Sequence, residues 1–244
     1  MAISVHSEPF VFERAGDTLR GHLARPAAAD RVPGLLLIPD VFGLSPHYRD
    51  VAARFAAEGF ATLVIDLYSR EGAPNLPDMA AVFACIAALP DARVLADVDA
   101  AVRALAAHPA VRGDAVGITG YCLGGQYALM AACTVESLAA CVSWYGMLRY
   151  AETNARKPAS PLDLAPRLRC PYLGLFGGED ALIPGADVAA LRAILTDAGK
   201  DFDIQTYAGA GHAFYNDTRP DAFRPAAAAA AFQRAVAFLH RHLA

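Results

Sequence analysis

The segment Gly120-Tyr121-Cys122-Leu123-Gly124-Gly125 joins a run of strand character, AVGITG (115–120), to sequence that turns helical at once. A sharp strand-to-helix turn thrusts one side chain out at the C-terminal end of a strand. Small residues two before and two after it let the chain bend without clashes. This is the nucleophile-elbow pattern with cysteine in place of serine. A cysteine at a helix N-terminus faces unpaired backbone N–H groups and the positive end of the helix dipole, both of which favour thiolate. Taken alone, G-x-C-x-G also reads as a buried cysteine beside packing glycines; its place between strand and helix favours the elbow.

Outward from the elbow, GLLLIP (34–39) and FATLVID (60–66) are continuous apolar runs of strand length, as expected of strands covered on both faces. LAACVSWYG, CPYLGLFGG and DFDIQTYAG repeat the pattern further on. Helical spacing occupies 46–58, 77–89, 92–107, 186–198 and 225–243, with Pro225 where a first-turn proline is tolerated. Residues 8–24 read as two short strands joined at Gly16-Asp17, an antiparallel hairpin. The proline-bearing segment 150–169 reads as a long surface excursion. Strands alternating with helices predict an α/β fold: one domain over 1–244, with a mostly parallel central sheet, an N-terminal antiparallel hairpin and helices on both faces.

Composition narrows the function. The chain has 244 residues, 55% hydrophobic and 19% charged, which excludes a disordered or fibrous chain. Twenty-one basic against 25 acidic side chains leave a net charge of −4 with no basic block, so neither nucleic acid nor an anionic membrane is expected as a partner. The start, MAISVHSEPF, lacks the basic and apolar regions of an export signal, and no apolar stretch is long enough to span a bilayer. The five cysteines form no C-x-x-C, so neither a disulfide framework nor a zinc ribbon is indicated, and a reduced cytoplasm is the expected compartment. No metal set is evident, and the absence of a Walker sequence and of G-x-G-x-x-G leaves nucleotide cofactors without support.

Two further strand ends carry chemistry. Asp180 follows the strand CPYLGLF in GGED (177–180), and His212 follows the last strand in GAGH (209–212). Both fall at the same sheet edge as Cys122. Nucleophile, acid, histidine is the chain order of α/β-hydrolase triads.

Over nearly its whole length the sequence resembles the dienelactone hydrolase (carboxymethylenebutenolidase) family of α/β hydrolases. The matching segments are IPDVFGLSPHYRD (38–50), VIDLYSR (64–70), GYCLGG (120–125), WYGM (144–147), GGEDALIP (177–184) and AGHAFYN (210–216). The cysteine elbow is the most specific of them. The resemblance implies a cofactor-free esterase or lactonase with a Cys122-His212-Asp180 triad. The characteristic substrate is an enol lactone from the ring-cleavage degradation of aromatic compounds. In that scheme Cys122 attacks the carbonyl, His212 moves the proton and Asp180 fixes the imidazole. The backbone N–H of Leu123 and, by family analogy, that of Val41 receive the oxyanion.

Two positions depart from the family pattern. Asp40 stands where the characteristic enzymes have a glutamate that gates the cysteine, and it reads equally as a turn residue after Pro39. Arg70 matches one arginine that binds the substrate carboxylate, whereas Asn216 stands where the second would be, leaving Arg219 as the arginine that could approach. Tyr145 and Phe214 are candidates to line the pocket, and His47 reads as a solvated surface residue. A broader carboxylesterase or thioesterase on the same fold is the nearest alternative. A lactone-binding protein with negligible turnover is the next. A small-molecule substrate and a monomer or small homo-oligomer complete the expectations.

Overall fold

The apolar runs become one eight-stranded sheet in the computed structural model, which describes residues 3–28 and 31–243. In chain order the strands are β1 (Val5–Arg14), β2 (Asp17–Pro26), β3 (Val32–Ile38), β4 (Ala61–Ile65), β5 (Val111–Tyr121), β6 (Ala140–Trp144), β7 (Tyr172–Gly177) and β8 (Phe202–Tyr207). They lie side by side as β1-β2-β4-β3-β5-β6-β7-β8. β1 pairs antiparallel with β2, and β2 antiparallel with β4; every other neighbouring pair is parallel. The hairpin turns at Ala15 and Gly16, both at positive φ (52° and 88°), the twist a two-residue hairpin loop requires.

The helices are α1 (Pro46–Ala57), α2 (Met79–Ala88), α3 (Asp91–Ala106), α4 (Leu123–Thr134), α5 (Pro161–Leu164), α6 (Gly185–Asp197) and α7 (Pro225–Leu243). α1 and α7 meet through Phe55 and Phe232, whose rings lie 4.9 Å apart, while α3 and α4 pack on each other and on β5. Helices thus cover both faces, and the architecture is the α/β-hydrolase fold. Leu35, Leu36, Leu37 and Ile38 are wholly buried in consecutive positions, as a strand covered on both sides demands. α4 is buried from Leu123 to Cys133, so the elbow is anchored to the most enclosed helix of the molecule. Among the described residues no single helix is long and apolar enough to cross a membrane.

The segment 150–169 is a surface excursion over 151–156, which are all exposed, and is anchored beyond them. Lys157 is buried within it, and its Nζ donates to Asp91 Oδ1 at 2.7 Å and to the Tyr127 hydroxyl at 2.8 Å. Tyr127 and Tyr150 donate in turn to the two Asp91 oxygens, at 2.9 and 3.0 Å. A buried cation and carboxylate persist because each satisfies the other and the tyrosines complete the set. Leu162, Ala165 and Leu168 are buried beside this network. The segment is tied to α3 and α4 rather than draped over them.

Candidate active site

The elbow forms where the glycine spacing places it. β5 ends at Tyr121, α4 begins at Leu123, and Cys122 between them has φ 55° and ψ −116°. A side chain held at positive φ is a strained feature, and the neighbours hold this one from both sides. Cys122 N donates to Trp144 O at 3.0 Å, and Cys122 O accepts from Gln126 N at 3.1 Å. A Cβ on Gly120 would stand 2.0 Å from Gly124 O, and one on Gly124 would stand 2.0 Å from Ile38 O. Only glycine lets the N-terminus of α4 approach β3 and β5 this closely.

His212 and Asp180 come from separate loops at the same edge. His212 Nδ1 lies 2.8 Å from Asp180 Oδ2, while Asp180 Oδ1 accepts from Leu182 N at 2.9 Å. Burial opposes the charged imidazole. The hydrogen bond to Asp180 and the neighbouring Cys122 sulfur outweigh it and push the His212 pKa up to about 10. Nε2 of His212 is buried without a hydrogen-bond partner among the described residues, and Cys122 is its neighbour in the site.

Val41 and Leu123 flank Cys122 in one cavity. Among the described residues neither backbone N–H has a hydrogen-bond partner. The Val41 carbonyl accepts from the Tyr68 hydroxyl at 2.8 Å, and the Tyr68 ring packs where a Cβ on Gly43 would stand 3.0 Å away. Tyr68 thereby fixes the loop after β3, a role that its sequence context did not announce.

The cavity holds about 150 Å³ of open space and reaches down to Cys122 and His212. Asp40 and Arg219 are the charged side chains besides His212 in its wall, and the rest of the lining is mostly apolar. Among the described residues no group of three His, Cys, Asp or Glu side chains is placed to hold a metal ion.

The model of the "Dienelactone hydrolase family" matches residues 19–243. The chain belongs to the dienelactone hydrolase family. It is 38% identical over 228 residues to a Bradyrhizobium sp. protein named "Probable 2-oxo-3-(5-oxofuran-2-ylidene)propanoate lactonase", covering 93% of this chain and 91% of that one. It is 36% identical over 222 residues to a "Putative carboxymethylenebutenolidase" of Escherichia coli K12, covering 90% and 81%. The crystal structure of a "Putative Dienelactone Hydrolase" from Klebsiella pneumoniae superposes with a TM-score of 0.93 at 33% identity, over 98% of this chain and 99% of that one. The protein is a hydrolase of dienelactone hydrolase type.

Within that family several side chains lie elsewhere than the sequence suggests. Arg70 is outside the cavity wall: its guanidinium grips Asp97 at 2.7 and 3.0 Å and Asp17 at 2.5 Å, so its donors are committed to the protein. Asn216 is buried in a turn, its Oδ1 accepting from Thr218 N and Oγ1. Among the described residues Arg219 is the one arginine in the wall of this cavity, and its guanidinium has no salt-bridge partner.

Tyr145 and Phe214 are fully buried behind the site rather than lining it. Tyr145 meets the His212 ring edge-on at 5.2 Å, and Phe214 meets Tyr145 at 5.3 Å, so they brace the histidine. His47, far from solvated, is buried with Nδ1 3.2 Å from Asp217 Oδ1, and burial pushes its pKa down.

Asp40 is both a turn residue and a cavity residue. Its Oδ1 accepts from Phe42 N at 2.9 Å, which is the turn. Burial pushes its carboxyl above the ordinary range, opposed by Phe42 N–H, the Tyr48 hydroxyl and the charges of Arg219 and His212.

Proposed function

We propose that this hydrolase opens small lactones or esters through Cys122, His212 and Asp180 by way of a thioester. Cys122 Sγ, its proton held on His212 Nε2, adds to the substrate carbonyl carbon, and the N–H groups of Val41 and Leu123 receive the oxyanion. The carbon–oxygen bond then breaks, His212 Nε2 protonates the departing oxygen, and the acyl group stays on sulfur. Water loses a proton to His212 and adds to the thioester carbon. The carbon–sulfur bond breaks, and carboxylate leaves while the sulfur returns to its starting state. Asp180 holds Nδ1–H throughout and balances the imidazolium. The observation that supports the reading is the strained elbow, which sets Cys122 in one cavity wall with Val41, Leu123 and His212.

The lactonase and carboxymethylenebutenolidase names of the relatives point to an anionic enol lactone from aromatic-compound catabolism. Arg219 is the residue we assign to the substrate carboxylate, in place of Arg70. The broader carboxylesterase reading draws on the same withdrawal of Arg70. Five free cysteines suit a reducing cytoplasm.

The test is to quench the enzyme during turnover of a slow aryl ester and weigh its peptides. The acyl mass is expected on the peptide carrying Cys122, released by hydroxylamine and absent from Cys122→Ala. Undiminished turnover by Cys122→Ala would remove the cysteine from the reaction.

A further inference from the structure

The helix α2 reads MAAVFACIAA, without one charged side chain. Its larger apolar residues Met79, Val82, Phe83 and Ile86 fall at i, i+3, i+4 and i+7, a single stripe along the helix. In a surface helix such a stripe ordinarily turns into the core. Here Val82 and Ile86 are buried, while Met79 and Phe83 are 51% and 44% exposed, and all four line the cavity that ends at Cys122. Phe42 and Leu182 are the other exposed large apolar residues in this wall, at 47% and 37%. Large apolar side chains left open to water and gathered around one opening mark a binding surface. Because this surface continues into the cavity, whatever reaches the sulfur lies against it.

We infer that the stripe Met79-Val82-Phe83-Ile86, with Phe42 and Leu182, is a subsite for an extended apolar group of the substrate, an alkyl or aryl chain joined to the reacting ester. This deepens, and rests on, the ester-hydrolase reading above. The seven helical rises from Met79 to Ile86 make the stripe about 10 Å long, the span of an extended chain of about eight carbons. A compact lactone leaves it uncovered. The substrate class is therefore an ester or lactone with an apolar tail, its polar end toward Arg219 and its tail along α2.

The experiment is a chain-length series: 4-nitrophenyl acetate, butyrate, hexanoate and octanoate for the acyl side, and ethyl to octyl acetates for the alcohol side, all below their aggregation limits. Complete burial gives about fourfold in kcat/KM per methylene, and the half-open stripe is expected to give about twofold, in one of the two series. The double variant Met79→Ser/Phe83→Ser is expected to flatten that slope, so that the ratio of longest to shortest ester falls at least tenfold. A second readout does not depend on turnover. Calorimetry on Cys122→Ala is expected to show octanoate binding tighter than butyrate, or octanol tighter than butanol, with the difference lost when Met79→Ser/Phe83→Ser is added.

Flat or falling kcat/KM in both series, with short esters still hydrolysed through Cys122, would overturn the subsite and spare the hydrolase reading. No ester turnover at all would count against that reading, and calorimetry would then decide the subsite by itself. Equal octanoate and butyrate affinity, with octanol binding no tighter than butanol, would overturn it. So would self-association of the wild type that Phe83→Ser abolishes, with no chain-length effect, since a second copy would then be what covers the stripe.

Discussion

Arg70 holds Asp97 by two parallel hydrogen bonds, 2.7 Å from Nη1 and 3.0 Å from Nη2. A bidentate guanidinium–carboxylate pair is among the stronger polar contacts a protein makes, and Asp17 takes the remaining Nε–H. Arg70→Ala is therefore expected to lower stability by about 1–3 kcal/mol, read as a fall in denaturation midpoint. It is expected to change KM for carboxylate-bearing and neutral substrates alike. Arg219→Ala is expected to raise KM for the carboxylate substrate at least tenfold more than for the neutral one. The opposite pattern would return the clamp to Arg70.

The His212–Asp180 pair makes stability depend on pH. The folded pKa of His212, about 10, lies above its ordinary value of 6.5. The protonated ring is thus favoured in the folded state, and its contribution is complete below 6.5 and is lost as pH rises toward 10. Wild-type Tm is expected to fall over that window more steeply than that of Asp180→Asn. Parallel profiles would show that the pair does not hold the proton.

Gly124 is fixed by backbone, not by a movable side chain. An added Cβ would meet Ile38 O at 2.0 Å, so α4 must shift and the elbow with it. Gly124→Ala is expected to cost about 3 kcal/mol or more and to lose activity. Gly185→Ala, where nothing lies within 4 Å, is expected to change stability by less than about 0.5 kcal/mol. Equal midpoints for the two variants would contradict the close approach.

Lys157→Met would strand the Asp91 carboxylate in the interior. Removing one member of a buried pair costs about 3–5 kcal/mol, and the added change Asp91→Asn is expected to recover much of it, because one tyrosine hydroxyl can still donate to the amide oxygen while the other accepts from its NH2. Urea denaturation of Lys157→Met, Asp91→Asn and the double variant checks this. Additive losses would mean that the two residues do not depend on each other.

The parallel strands and the elbow were legible because each has a local signature: LLLI for a strand covered on both sides, and G-x-C-x-G for a bend that only glycine allows. Asp180 and His212 were legible because both follow strands that end at one edge. The turn at Asp40 could be read from its neighbours, and its place beside the cysteine from the family resemblance alone. Arg70 was misplaced because its partners, Asp17 and Asp97, are distant in sequence, and nothing local says that two carboxylates will claim it. Tyr145 and Phe214 failed similarly, since a position next to a functional loop does not say which way an aromatic ring turns. The segment 150–169 looked superficial because its proline pattern conceals a lysine whose counter-charge lies 66 residues earlier.

The central claim is that Cys122 is the nucleophile of a lactone or ester hydrolase. Steady-state hydrolysis of a dienelactone beside a neutral aryl ester, by wild type and Cys122→Ala, tests it most directly. The account predicts turnover by the wild type and its loss, for both substrates, in the variant. Activity retained by Cys122→Ala would contradict it.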